Sequence, residues 1–369
     1  MAPFAFMSRH LLVAVSSHGF GHFSQVAPVL NALLHKRPDI RLTLRTELPR
    51  QLLEQRLGHP FAQQIASDDF GMLMHNAVDV DTVASLAAYR DFHANWDEHV
   101  TRVADEMAQD RPDLLLGDVP YLTLAAAARL GVKSIALCSL NWADVLAVYA
   151  DETIRAEVLP AICAAYAGVE RFICVAPVMP MPLLQQAGVR LVEVGPVCAP
   201  GRDSRVALRQ CLGVDEATSL VLVGMGGMPF ALNTAGWPIQ VSGRRVHYLL
   251  PSGWCCDGLA ATALDQVPFA YADVLASVDL VITKPGYGMF VEAAAAGVPV
   301  LYVERQVWPE VTALEQWLSQ VGHCRRISRR DLEQGALAPH LEILLQLGRY
   351  QPVNPGGVAA AAELLAGLV

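Results

Sequence analysis

Residues 11–15 (LLVAV) form an apolar run with no polar interruption, and the run ends in Ser16-Ser17-His18-Gly19-Phe20-Gly21-His22. A strand with one wet face alternates apolar and polar residues, so an unbroken run marks a strand covered by helices on both faces. The next stretch of chain reads as the covering helix. Val26, Leu30, Leu33 and Leu34 recur at helical spacing, His35, Lys36 and Arg37 put cations in the last turn, and Pro38 ends it. Residues 40–44 alternate as a second strand, which completes a β-α-β unit at the start of the chain.

The alternation continues. A long helical stretch is expected over 82–108, a strand at 114–116, a helix over 122–130, and strands at 134–137, 172–175 and 191–194. Gly195-Pro196 and Ala199-Pro200-Gly201-Arg202-Asp203-Ser204 make the most linker-like stretch in the chain. The pattern then restarts, with strands at 220–223, 246–250, 279–283 and 300–303, helices over 287–296 and 311–321, and an alanine-rich helix over 358–368. This predicts an α/β protein of two doubly wound, Rossmann-like domains facing across a cleft. The expected bounds are 1–195, a linker 196–205, a second domain 206–349, and a C-terminal segment 350–369 packing back on the first domain. A length of 369 residues suits two domains.

Composition narrows the function classes. Hydrophobic residues are 53 % and charged residues 17 %, which excludes a disordered chain. The charge balance is 27 − 36 = −9 with no basic run, which disfavours a nucleic-acid partner. The eight cysteines include no C-x-x-C pair and read as reduced core residues of a cytoplasmic protein. Residues 1–17 lack the basic start of a signal peptide, with Met7 a candidate natural start, and no apolar run reaches the ~20 residues that a membrane-spanning helix needs. A soluble chain is expected; peripheral membrane contact stays open, and oligomeric state is not readable.

Ligands of doubly wound sheets bind beyond the carboxyl ends of the strands, so the loops there carry the chemistry. In the first loop, Gly19 and Gly21 let the backbone approach a ligand, and His22 near a helix N-terminus is held as a free base. The competing reading is a phosphate-binding glycine loop with incidental histidines. Asp118 follows the strand at 114–116, where it can orient and charge-stabilise the His22 imidazole; the alternative is an N-cap. Gly224-Met225-Gly226-Gly227 after the first strand of the second domain reads as a phosphate cradle or a plain β-α turn.

The most specific segment runs from Ile282 through Lys284-Pro285-Gly286-Tyr287-Gly288-Met289 to Glu292 and on to Gly297-Val298-Pro299. It reads as strand, glycine turn, helix and stop. Backbone N–H groups after Gly286 offer an anion site, Lys284 adds a point charge, and Glu292 lies about one turn in, where it can accept from a ribose diol. Lysine is scarce, with only Lys36, Lys133 and Lys284, which sets Lys284 apart from a solvated loop charge. His75 belongs to a region, about 68–96, that is expected to wall an acceptor. Asp79 and Asp81 have Asp-x-Asp spacing but precede a helix, where capping is the preferred role, and no metal site is expected.

With these residues in view, the chain resembles the GT-B glycosyltransferases. The segment from Thr283 to Pro299 is similar to the donor signature of the small-molecule UDP-glycosyltransferases and of the lipid II N-acetylglucosaminyltransferase. Gly19-Phe20-Gly21-His22 resembles their first loop, whose histidine is the base, and Asp118 falls where its partner is expected. A looser resemblance, through Asn141-Trp142-Ala143-Asp144 and Tyr149, is to the glycosyltransferase-like half of plant arabinokinases. Lys284 stands where the UDP-glycosyltransferases have a histidine, and Glu310 matches their later sugar-binding acid only loosely. The resemblance implies a metal-independent inverting transfer from a UDP- or TDP-sugar to a small-molecule or lipid-linked acceptor, with no cofactor. His22 and Asp118 would be catalytic, Gly224, Gly226, Gly227, Lys284, Gly286, Tyr287, Gly288, Met289, Glu292 and Glu310 would hold the donor, and His18, Phe20, His75, Asn141 and Trp142 the acceptor. The alternatives are a nucleotide-sugar epimerase and a non-catalytic nucleotide-sugar sensor.

Overall fold

Buried apolar strands need helices on both faces, and the computed structural model meets that need twice. It describes residues 9–226, 234–254 and 258–369; Met7, Gly227, Cys255 and Cys256 lie outside the described residues. The first sheet holds β1 (His10–Ala14), β2 (Arg41–Arg45), β3 (Ala62–Gln64), β4 (Leu114–Gly117), β5 (Ser134–Cys138), β6 (Arg171–Val175) and β7 (Leu191–Val194). They run parallel in the order β3-β2-β1-β4-β5-β6-β7. The chain lays strands outward from β1 in one direction, then returns to lay β4 on its other side. The order therefore reverses between β1 and β4, where such sheets open a crevice at their carboxyl ends.

The second sheet holds β8 (Ser219–Gly224), β9 (Gln240–Val241), β10 (Arg244–Leu250), β11 (Ala261–Ala263), β12 (Leu280–Thr283), β13 (Val300–Val303) and β14 (Cys324–Ile327). Its parallel path is β11-β10-β8-β12-β13-β14, with β9 antiparallel to β10. The reversal here lies between β8 and β12, and the register sets Thr283 beside Gly224. The two glycine-bearing loops of the second sheet thus start from adjacent strand ends.

The chain divides into two compact units, 1–74 with 80–197 and 356–369, and 75–79 with 198–355. In the first unit the helix Gly357–Ala366 packs on the helix Phe20–Lys36, with Lys36 Nζ 3.2 Å from Glu363 Oε1. In the second, Val78 is buried in a cluster with Val221, Tyr248 and Ile282, and Arg329 grips both Asp79 oxygens at 2.7 and 2.8 Å. The capping role expected of Asp79 is therefore wrong: its charge is spent on Arg329. Asp81 does cap, accepting from the Ala84 N–H at 2.9 Å.

The helix expected over 82–108 is two helices, Thr82–Ala94 and Trp96–Asp110, because Asn95 leaves helical geometry at φ −117°, ψ 28°. Asparagine competes poorly for helical backbone. Among the described residues, no helix is long and apolar enough to cross a membrane.

Candidate active site

The helix Phe20–Lys36 starts directly after Gly19, so His22 sits in its first turn at the carboxyl end of β1. Asp118 follows β4, the neighbouring strand across the order reversal. The two meet: His22 Nδ1 is 2.7 Å from Asp118 Oδ2, with the carboxylate fully buried. Asp118 is not the N-cap of the next helix, whose cap residue is Pro120 with no side-chain capping bond. Cys138, ending β5, places its Sγ 3.8 Å from the same His22 nitrogen. His22, Asp118 and Cys138 bring ligand-type atoms within 4.8 Å of one another. The imidazole thus stands at ion-pair distance from a buried carboxylate whose oxygens complete no hydrogen bond of good angle, with a thiol beside it.

A wall of rings adjoins His22. Trp142 is fully buried, its ring centroid 5.8 Å from that of His22 and 5.2 Å from that of His18, edge to face with the latter. Gly71 closes against this pair. At φ +58°, a Cβ on it would lie 2.7 Å from the Trp142 ring and 2.8 Å from the His18 ring, so only glycine fits. Phe20 stands at the helix start and is 43 % exposed.

Two expected acceptor residues are placed otherwise. Asn141 is fully buried, and its amide is used inside the fold, accepting from the Asp144 N–H and donating to the Asp144 carboxylate, both at 2.9 Å. That makes it the cap of the helix Trp142–Ala147. His75 belongs to the segment grouped with the second unit, whereas His18 and Trp142 belong to the first.

Sequence reasoning missed Asp69. It is buried, and accepts from Ser16 Oγ at 2.9 Å and from Trp142 Nε1 at 2.6 Å. Burial pushes its carboxyl up to about 6, against the lowering effects of Trp142, His22 and Ser16. Its neighbour Asp68 differs: Arg45 binds it through two nitrogens, and Thr123 Oγ1 donates to it at 3.0 Å. A lone aspartate in a loop has no spacing signal that could have announced this.

In the second unit, Lys284 follows β12 and reaches the loop after β8, its Cε 3.2 Å from where a Gly226 Cβ would stand. The side chain is half-buried. Loss of water around the ammonium brings its pKa down to about 7, the Arg305 guanidinium pushes the same way, and Glu310 opposes. Arg305, after β13, lies over the Trp308 ring at 4.0 Å. Its position at the next strand end was its one sequence signal. Glu310 is buried, with Trp308 Nε1 3.5 Å from its Oε2.

Gly286 caps the helix Tyr287–Ala296 in an extended conformation and leaves the first N–H groups of that helix at the strand end. Tyr287 and Glu292 are buried in that helix, Gly288 and Met289 are partly exposed, and Tyr271 donates to Met289 Sδ at 3.0 Å. Thr283 Oγ1 donates to the Gly224 carbonyl at 2.6 Å, tying the two loops together.

No protein-family model matches the chain. It is 26 % identical over 366 residues to an L-arabinokinase of Arabidopsis thaliana, covering 95 % of this chain and 33 % of that protein. A second relative is the UDP-N-acetylglucosamine–N-acetylmuramyl-(pentapeptide) pyrophosphoryl-undecaprenol N-acetylglucosamine transferase of Halorhodospira halophila. It is 37 % identical over 125 residues, 32 % of each protein. The chain spans about a third of the length of these curated relatives. Among solved structures, the Arabidopsis thaliana UGT89C1 complexed with UDP superposes with a TM-score of 0.60 at 16 % identity, covering 97 % of this chain and 98 % of that one. The calicheamicin glycosyltransferase CalG4 gives 0.61 at 17 % identity, covering 98 % of each. The chain therefore has the GT-B fold of the UDP-glycosyltransferases, two parallel-sheet α/β domains, and its sequence is similar to a plant arabinokinase and a bacterial lipid-linked N-acetylglucosamine transferase.

Proposed function

We propose that the chain is a metal-independent, inverting glycosyltransferase that moves a sugar from a nucleoside-diphosphate sugar, UDP or TDP, to a small-molecule or lipid-linked acceptor. The observation that carries the reading is the buried His22–Asp118 pair, 2.7 Å apart, at the strand-order reversal of the first sheet. A sensor has no use for an oriented base.

In the reaction, His22 takes the proton from the acceptor hydroxyl as its oxygen forms the bond to the anomeric carbon. The bond from that carbon to the diphosphate oxygen breaks, its electrons leave with the nucleotide, and one displacement inverts the centre. Asp118 stabilises the imidazolium, which later loses its proton to water. The leaving diphosphate gathers charge, met by Lys284, Arg305, the N–H groups after Gly286 and the turn at Gly224 and Gly226. Two cationic side chains supply here what a divalent ion supplies in metal-dependent transfer. Glu292 accepts from the ribose diol, and Tyr287, Gly288, Met289 and Glu310 line the donor. His18, Phe20 and Trp142 wall the acceptor.

Support for the donor class comes from UGT89C1, solved with UDP and with UDP-L-rhamnose. For the acceptor class, UGT89C1 was also solved with quercetin, and the Halorhodospira relative is named for an undecaprenol-linked acceptor. A lipid-linked acceptor would bring the protein to a membrane surface. The free thiols at Cys138, Cys163, Cys174, Cys198, Cys211 and Cys324 fit a cytoplasmic location. The test is product analysis with UDP- and TDP-sugars in chelator, reading the anomeric configuration by NMR. Retention of configuration, a strict metal requirement, or epimerised donor without acceptor overturns the reading.

A further inference from the structure

An ionised carboxylate taken out of water is costly unless a cation or several donors compensate it. Asp68 meets that demand with the Arg45 guanidinium. Asp69, one residue on and buried, has only neutral side-chain donors, the Ser16 hydroxyl and the Trp142 indole N–H. Both donors belong to the His22 surroundings: Ser16 opens the loop that leads to His22, and the Trp142 ring stands 5.8 Å from the imidazole.

We infer that Asp69 is a second carboxylate serving His22, a positioning residue whose counter-charge is the imidazolium formed when the acceptor loses its proton. The inference rests on His22 being the base of the proposed transfer. Asp118 lies against the imidazole at 2.7 Å; Asp69 acts through space and through the Trp142 indole that it holds. Its elevated carboxyl titration, near 6, lies where such coupling is felt.

The groups facing Asp69 come from every neighbouring element. They are His22 and Asp118, the thiol of Cys138, the His18 ring on Trp142, and the hydroxyls of Tyr89, Tyr121 and Tyr166. Burial holds the three tyrosines well above their usual range, so they stay neutral. The Arg45–Asp68 pair adds no uncompensated charge. Asp69 and Asp118 are carboxylates whose charge can raise the proton affinity of His22.

The test is a histidine-labelled NMR titration of wild type and Asp69→Asn, with the His22 resonance assigned through His22→Gln. Removing a negative charge makes imidazolium less favourable. The His22 midpoint in Asp69→Asn should fall by about half to one pH unit, as expected for one charge several ångströms away in a partly screened site. The acid limb of kcat/KM should move down by the same amount, with kcat reduced about tenfold and nucleotide-sugar affinity unchanged. Ser16→Ala, which removes one donor from Asp69, should move the midpoint the same way by less, and serves if Asp69→Asn does not fold. A folded variant with an unmoved His22 midpoint overturns the inference, even if its activity is low. If wild type transfers no sugar, or His22→Ala transfers normally, the transferase reading falls on that result. The NMR midpoint still decides whether Asp69 controls His22.

Discussion

On the proposed function, Lys284 would make nucleotide binding a proton-coupled event. With a pKa of about 7 in the free protein, the ammonium is about half-formed at neutral pH. A bound diphosphate favours the charged form and returns the pKa toward the ordinary lysine range. The complex then takes up about half a proton at pH 7 and about nine-tenths at pH 8. Affinity scales inversely with 1 + 10^(pH − 7), so Kd for UDP-glucose should rise about 30-fold between about pH 6 and pH 8.5, or about 2 kcal/mol. UDP-glucose is the suitable probe because its pyrophosphate diester does not titrate in that range. Calorimetry at each pH in two buffers of different ionisation enthalpy reads both affinity and proton uptake, with TDP-glucose in parallel. In Lys284→Met the slope and the proton uptake should vanish together, and added salt should weaken wild type more than the variant. A flat wild-type profile, or an unchanged slope in the variant, refutes the linkage. Without ligand the sign is opposite: the unfolded lysine holds its proton to higher pH, so stability should rise as pH climbs from about 7 toward the usual lysine range.

His22→Ala should abolish transfer and leave nucleotide-sugar affinity unchanged by calorimetry, while Asp118→Asn should lose less and stay folded, since Asp118 caps no helix. Glu292→Ala should weaken UDP-sugar by about 1–3 kcal/mol and its 2′,3′-dideoxy analogue hardly at all; equal losses would remove Glu292 from the ribose. Gly71→Ala should lower stability by about 1–3 kcal/mol in thermal unfolding, because its Cβ meets the Trp142 and His18 rings; a neutral result would show that those rings can retreat.

The architecture was legible because buried parallel strands are written as unbroken apolar runs. The helix Tyr287–Ala296 was legible to the residue because Gly286 and Gly297 bracket it. Short helices such as Arg50–Arg56 and Tyr271–Ser277 were not, since two turns carry too few apolar positions to establish a period. The break at Asn95 lies inside a helical pattern that continues on both sides. Strand-end logic led to His22 and Asp118, although Asp118 is far from His22 in the chain. The same logic could not find Asp69, which leaves no strand end and is hydrogen-bonded to the site through the Ser16 hydroxyl and the Trp142 indole. Asn141, named through the resemblance of Asn141-Trp142-Ala143-Asp144, is the cap of the helix Trp142–Ala147, a role its place before that helix could have announced.

The division of the chain between the two units bears on its synthesis. A polypeptide leaves the ribosome from its amino end, yet the first unit includes residues 356–369. Until those residues emerge, the helix Phe20–Lys36 lacks the helix Gly357–Ala366 that packs on it, while the whole second unit is being made. The segment 75–79, translated early, waits for the strands among which Val78 is buried. The nascent chain therefore carries two unmet packing partners at once, the uncovered helix Phe20–Lys36 and the unplaced Val78.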